Sequence, residues 1–416
     1  MRTDKVQCCV VGGGPAGMMA GLLLARQGVE VIVLEKHADF LRDFRGDTIH
    51  PSTQELIHEL GWLDEFHRLP HSRMAQVTVA VGTEKVTFAE FGKLKVAAPY
   101  IAFLPQWDFL EFLHRKAAEL PTFRLLRRTE ATELMVEAGR VIGVHATSDD
   151  GPLEIRADLV IAADGRNSVL RARSGLALQV SSAPVDVLWF RLTRHPDERM
   201  EFFRAGPGGA LVAIDRGDYW QVAYTIPAGS FQDLQATGLA ELRRRVGLLA
   251  PALADRLAEL DTWDDVHHLA VRVDRLRTWH RSGLLFIGDA AHAMSPAGGV
   301  GINLAIQDAV ATANLLGPKL RDGSLTDRDL ARVQRRRSLP ARITQAFQLE
   351  MLRGLYPQDL HDDVRTHMPV VFRAFQSIPL LRRLAGRVIG LGIRPEHLST
   401  QARPSSAKAQ SRVVDE

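Results

Sequence analysis

The chain has 416 residues, 46% hydrophobic and 24% charged, a globular composition long enough for two or more domains; it excludes a disordered, collagenous or multi-spanning protein. Fifty-two Lys and Arg against 49 Asp and Glu leave +3, too little at this length to argue for a nucleic-acid partner. The two cysteines are adjacent, Cys8 and Cys9, inside an apolar run; neighbouring cysteines rarely bridge, no metal spacing is present, and a reducing, cytoplasmic compartment is expected.

Val6 to Val11 is a short apolar run that ends in glycines and is read as a strand. No signal-peptide pattern precedes it, and no apolar run reaches the roughly 18 residues of a membrane span. Pro15 to Gln27 carries a helical pattern closed by Gly28, and Val29 to Glu35 is a second strand. Strand, helix and strand within about thirty residues open a doubly wound sheet. Residues 53–67 read as an amphipathic helix, 75–91 as a β-hairpin split at Gly82, 106–119 as a helix, and 123–126 and 140–146 as strands.

The middle of the chain changes character. Residues 185–194, 199–205, 209–215 and 219–226 are four strand-like runs separated by turn residues, which suggests an antiparallel sheet in a second domain. Residues 239–259 read as one helix, and from 284 the strand, glycine loop and helix pattern returns. The expected fold is α/β: a discontinuous Rossmann-like domain over 1–75, 98–175 and 275–370, with an inserted antiparallel β-sheet substrate domain over 76–97 and 176–274. A C-terminal helical segment (371–399) and a disordered polar tail (400–416) complete the expectation.

Gly12-Gly13-Gly14-Pro15-Ala16-Gly17 fits G-x-G-x-x-G directly after a strand and at the start of a helix. Gly12 allows the tight turn, Gly14 lets backbone approach a pyrophosphate, and Gly17 lets helix pack on strand. Glu35 ends the second strand 18 residues after Gly17, where a carboxylate can hold a ribose diol. The motif by itself does not separate FAD from NAD. Two more strand ends carry polar turns: Asp158 to Ser168, containing Asp164-Gly165-Arg166, and Gly283 to His292, containing Gly288-Asp289. The latter runs on through Met294-Ser295-Pro296-Ala297-Gly298-Gly299-Val300-Gly301-Ile302-Asn303 into a helix.

Together these three segments resemble the group A flavoprotein monooxygenases, the family of p-hydroxybenzoate hydroxylase and the ubiquinone-biosynthesis hydroxylases, over about residues 5–395. The resemblance makes the first domain an FAD-binding domain of that type. It implies that Gly12, Gly14, Ala16, Gly17, Glu35 and Lys36 address the ADP half of FAD, that Asp164 supports the pyrophosphate, and that Asp289 holds the ribityl chain. It places Pro296, Gly299, Gly301, Ile302 and Asn303 beside the isoalloxazine, Arg45 and Gln106 near the phosphates and ribityl chain, and the Ala131 backbone near the adenine. It further implies NAD(P)H as a transient reductant, O2 as co-substrate, and hydroxylation through a flavin C4a-hydroperoxide. A helix N-terminus near the flavin N1–C2=O edge would favour the anionic reduced flavin. His292 is read as structural, and no metal is expected.

In this family the substrate lies between flavin and inserted sheet. The candidate lining is Trp189, Arg191, Phe203, Trp220, Gln221 and Tyr224, with Trp189 and Arg191 on one face and Trp220 and Tyr224 on another by alternation. Such a lining suits a hydrophobic, aromatic or polycyclic small molecule. His50, near the family's mobile flavin loop, is a candidate to assist at the substrate. Asp218 to Pro227 superficially resembles the W-x-W-x-I-P of flavin-dependent halogenases, but Val222 and Tyr224 stand where tryptophans belong. A halogenase, an isoprenoid-type reductase or a non-catalytic flavin redox sensor are the alternatives. Residues 378–393 form a basic amphipathic stretch that either docks on the FAD-binding domain or makes peripheral contact with a membrane.

Overall fold

The structure, a computed structural model, describes residues 2–41, 48–206, 209–355 and 370–400; Arg45 and the expected tail from 401 lie outside them. At the centre of the first sheet is the strand Arg2–Val11. It pairs in parallel with Gly151–Ala162 on one side and Val31–Leu34 on the other. Leu284–Phe286 and Phe123–Leu126 extend the parallel sheet outward on the two sides. Both faces are covered, so the central strands are nearly continuous apolar runs. Cys8 turns to one core and Cys9 to the other, and both are buried and unbridged. Burial pushes the Cys9 thiol up to about 12, which makes it an inert packing residue.

One face packs under the helices Pro15–Ala25, Gln106–Ala118 and Val300–Arg321, with Met18, Leu22, Phe109 and Ile306 in the shared core. The other is closed by the antiparallel pair Glu130–Glu137 and Arg140–Ser148, with Trp279 and Leu170. Gly28, at φ +84°, follows the first helix where a left-handed residue is needed. The helix read over 53–67 is two helices, Pro51–Glu59 and Leu63–Phe66, broken at Gly61 with φ +79°. The helix read over 239–259 is likewise divided. Leu239–Leu249 is α-helical, and Pro251 opens the 3-10 segment Pro251–Glu259, because proline has no N–H to continue the ladder.

The second sheet has seven strands, in the order His267–Leu269, Val185–Thr193, Tyr219–Pro227, Gly209–Asp215, Phe203–Gly206, Gln76–Val81, Glu84–Glu90. The hairpin from early in the chain therefore joins strands from the middle, through a parallel pair between Phe203–Gly206 and Gln76–Val81. One face carries the helices Phe231–Thr237 and Leu239–Leu249 and the 251–259 segment. The opposite face meets Ile101, Phe103 and the helix Pro379–Leu391.

That last helix, from the basic C-terminal stretch, packs along one side on the rest of the chain. Gly386 lies so close to the backbone of Glu90 that a Cβ would overlap its carbonyl, and Gly390 sits against Phe91 and Pro51. The helix thus seats on the second sheet's hairpin and on Pro51–Glu59, rather than on the first sheet. Leu380 and Leu384 on its other face are exposed. Among the described residues no helix is long and apolar enough to cross a membrane.

Candidate active site

Four of the motif positions emerge at the carboxyl ends of four adjacent parallel strands. Val11 is paired with Leu34 and with Ala162, and Ala162 with Phe286. Gly12, Glu35, Asp164 and Asp289 follow these four residues within three positions. In open α/β sheets the ligand crevice lies outside this edge.

Gly12 has φ +106°, and a Cβ there would overlap the Ala163 carbonyl; a Cβ on Gly17 would overlap the Gly12 carbonyl. Both glycines are demanded by backbone packing. Gly14 differs: an added Cβ meets no atom within 4 Å. The helix it caps has no side-chain cap, which leaves first-turn N–H groups free to face an anion. Ala16 is buried and packs against Gly288, whose own φ is +58°. Glu35 is buried and accepts from Gly13 N at 3.0 Å and His37 N at 2.9 Å. Lys36 is exposed and stands 3.9 Å from Glu130. Ala131 is buried on the strand beside this edge, where Thr129 N donates to Glu35 O at 2.9 Å. Gln106 is half-buried at the first turn of Gln106–Ala118.

Asp164 lies in the turn after Gly151–Ala162 and accepts from Leu170 N at 3.2 Å; burial raises its carboxyl above the ordinary range. Asp289 is in the 3-10 turn Gly288–Ala290, half-buried, with Arg166 Nη2 at 3.3 Å. It faces this cation rather than capping a helix. Arg166 and Arg171 were not singled out from the sequence. Arg171 is buried and ties Asp274, at 3.2 Å, to the carbonyls of Asp289 and Ala290. Arg166 stands inside the Asp164-Gly165-Arg166 turn; nothing local in the sequence marks Arg171.

The glycine-rich stretch folds back on the 48–50 segment. Gly298 and Gly299 have φ +77° and +61°, and a Cβ on Gly299 would overlap Thr48. Thr48 Oγ1 donates to Gly299 O at 2.9 Å. Pro296 precedes this turn; Gly301, Ile302 and Asn303 begin Val300–Arg321. The Asn303 side chain is fully used. Its amide donates to Thr48 O and Gly299 O, and its oxygen accepts from His50 N and Thr53 Oγ1. It is a clamp between loop and segment.

Beneath the Gly288 turn lies an ionic network. Asp308, fully buried, accepts from Gly288 N at 3.1 Å and Arg337 Nε at 3.0 Å, and faces His292 Nε2 at 2.5 Å. His292 is buried against Trp279, which agrees with a packing role. Burial raises the Asp308 carboxyl, but the His292 and Arg337 charges outweigh it and hold it below the ordinary range.

His50 is not on a loop surface: it is 1% exposed. It precedes Pro51–Glu59, and its Nδ1 lies 2.8 Å from Ile389 O on the C-terminal helix. It lines a cavity with the glycine-rich turn (Ala297, Gly298, Val300), Phe88, and residues of the helices Asp327–Leu355 and Pro379–Leu391.

The sheet candidates divide between two faces. Trp189 pairs with Ala223 and clusters with Phe202, Val212, Ile214 and Ile389, so it lies on the face that meets Ile101, Phe103 and the helix Pro379–Leu391. Arg191 and Gln221, paired with each other, share that face; Arg191 is exposed over the Tyr219 ring, and Gln221 is buried and accepts from Arg216 Nε at 2.9 Å. Phe203 clusters with Val79, Val86 and Phe88. Trp220 and Tyr224 do not belong to this lining. They point into the opposite core, with Phe190, Leu242 and Leu253, and Trp220 Nε1 donates to Glu198 Oε2 at 2.8 Å. Alternation separates the faces of a strand, but the helices from 231 onward choose which face is core, and they took the more aromatic one.

The turn, the free helix N-terminus, the open space at Gly14 and the carboxylates at the strand ends fit a dinucleotide such as FAD. Among the described residues no group of three or more His, Cys, Asp and Glu could hold a metal.

Residues 5–346 match a family model described as an FAD binding domain. A 6-methylpretetramide 4-monooxygenase of Streptomyces rimosus is 35% identical over 331 residues, 79% of each chain. Among solved structures, PqsL of Pseudomonas aeruginosa, described as a probable FAD-dependent monooxygenase, superposes with a TM-score of 0.74 at 21% identity, covering 90% of this chain and all of that one. The myxobacterial chondrochloren halogenase CndH superposes with a TM-score of 0.72 at 18% identity, covering 96% and 99%.

Proposed function

This chain belongs to the FAD-binding-domain family of flavoprotein monooxygenases, and from that membership we propose that it hydroxylates a hydrophobic aromatic or polycyclic small molecule, with NAD(P)H as reductant and O2 as co-substrate. The observation that carries the reading is the alignment of Gly12, Glu35, Asp164 and Asp289 along one edge of four parallel strands. In this reading the Gly12–Gly17 turn and the helix behind it receive the pyrophosphate, Glu35 the ribose and Asp289 the ribityl chain. When bound, FAD supplies the passage of electrons from NAD(P)H to O2 and of one oxygen atom to an electron-rich carbon. The protein's own residues position and exclude water: Trp189, Phe202 and Ile214 form an apolar cluster with Ile101 and Phe103 on the inner face of the second sheet. In this reading the first sheet belongs to the FAD-binding domain and the second to the substrate domain.

The fold by itself does not choose the chemistry, since the superposed neighbours include a halogenase. The sequence favours hydroxylation, because the tryptophan pair that would hold a substrate away from the flavin is missing at 222 and 224. The test is turnover under 18O2 with and without chloride or bromide, on the substrate that most stimulates NAD(P)H consumption. Labelled oxygen in the product and indifference to halide are expected. Halogenated product moves the assignment to a halogenase, unlabelled product to a reductase, and a lack of substrate-stimulated NAD(P)H consumption to a sensor.

A further inference from the structure

Two helices far apart in the chain, Asp327–Leu355 and Pro379–Leu391, each leave an apolar stripe in solvent. Leu339, Ile343 and Phe347 recur every fourth residue on the first, and Leu380, Leu384 and Val388 on the second; all six are between 38% and 70% exposed. A step of four residues turns a helix by only about 40° from one full turn, so each set is a single ridge. Scattered exposed leucines are ordinary on a protein surface, whereas two aligned ridges mark an interaction surface. The ridges are neighbours. Phe347 and Val388 line one cavity, together with Pro340 and Thr344 from the first helix and Ile389 from the second.

Arginines occupy the outer flanks. At about 100° per residue, Arg335 and Arg342 fall about 80–100° from Ile343, on the side away from Pro340 and Thr344. Arg383 and Arg387 fall about 60–100° from Leu384, on the side away from Ile389. All four are exposed, and among the described residues no carboxylate pairs with them. Arg336 and Arg337, by contrast, are committed to Glu396 and Asp308. The sequence has no Asp or Glu from 330 to 349 or from 364 to 395. The surface therefore has an apolar centre and a cationic rim with no acidic residue on either helix to neutralise it locally.

We propose that this surface binds an anionic lipid bilayer, with the two ridges at the boundary between headgroups and acyl chains and the four arginines on lipid phosphates. Apolar and basic groups on adjoining faces of a helix are what an interfacial helix presents, and the arginine stems reach past the ridge to keep the guanidinium at headgroup level. A second copy fits less well, since a two-fold interface would set these arginines against their own kind. A protein partner fits less well too. Protein hot spots are built from Trp, Tyr and Arg, with Leu and Val under-represented, and the ridges hold Leu, Ile, Val and one Phe. The binding does not depend on which reaction the flavin performs.

The full chain, loaded with FAD, is floated with vesicles of phosphatidylcholine alone and of equal parts phosphatidylcholine and phosphatidylglycerol. Binding to the anionic vesicles alone is expected, and it should fall as salt rises. Arg383→Gln with Arg387→Gln should weaken it about twentyfold, roughly fivefold for each arginine near the surface. Leu384→Ser and Ile343→Ser, one on each ridge, should each weaken it about tenfold. Leu248→Ser, as exposed as Leu384 but on the helix Leu239–Leu249 across the second sheet, should leave it unchanged. These side chains are exposed, so melting temperature and FAD content should stay at wild type in every variant. The proposal is overturned if wild type floats with neither vesicle or equally with both, or if either ridge variant binds as wild type does. A concentration-dependent dimer that Leu384→Arg dissolves gives the face to a second copy. Binding to soluble polyglutamate as tight as to the vesicles gives it to an acidic protein.

Discussion

Asp308→Ala removes the anion from a buried set of three charged or chargeable groups. Asp308, Arg337 and His292 have side chains 0%, 1% and 2% exposed, so solvent screening is minimal. Deleting one partner of a buried ion pair costs about 3–5 kcal/mol, because the other charge is left uncompensated. Arg337 keeps Glu396 Oε1 at 3.2 Å and the Arg394 carbonyl, which puts the expected loss near the lower end, about 3 kcal/mol. Asp308→Asn keeps an oxygen for Gly288 N but loses the charge and sets an amide donor against Arg337 Nε, so its loss should be of similar size, about 3 kcal/mol. Urea unfolding at fixed FAD concentration measures both. The acid limb adds a second readout. The Asp308 carboxyl is held below its unfolded value, so its contribution is present above about pH 4 and is lost as pH falls through the lower folded value. Asp308→Asn should lose that limb. A loss under about 1 kcal/mol in Asp308→Ala, with an unchanged acid profile, would refute the claim that this carboxylate organises the turn.

Two further substitutions separate cofactor binding from folding. Gly14→Val adds a side chain into open space, so the apoprotein should unfold at the wild-type temperature while the FAD-to-protein ratio after desalting collapses; Gly17→Ala, overlapping the Gly12 carbonyl, should lose both. Asp289→Ala should weaken FAD binding by about 1.5–3 kcal/mol through loss of a charged hydrogen-bond acceptor. A fluorescence titration giving wild-type affinity would leave Asp289 only its Arg166 ion pair.

What was legible in the sequence is what local stereochemistry dictates. Gly12 and Gly17 are glycines because carbonyls occupy the space a Cβ needs, and that requirement follows from a strand–turn–helix within one short segment. Glu35, Asp164 and Asp289 were found for a related reason: parallel strands end at one edge, and polar residues just after apolar runs mark that edge. The hairpin at 76–90 was also legible, though not its parallel partner at 203–206, because pairing across more than a hundred residues leaves no periodic trace.

The substrate side was legible in pattern and not in orientation. Trp189 and Leu188 are neighbours on one strand and face different layers. Period-two alternation divides them, but nothing in the strand says which set the 231–259 helices will cover. The rule that aromatic residues mark a pocket then misleads at Trp220 and Tyr224, because a closed core recruits large apolar surface more strongly than an open cavity does. His50 illustrates the converse. A lone histidine before a proline looks like a loop residue, yet it becomes 1% exposed because a helix more than 300 residues later lays the Ile389 carbonyl over its ring.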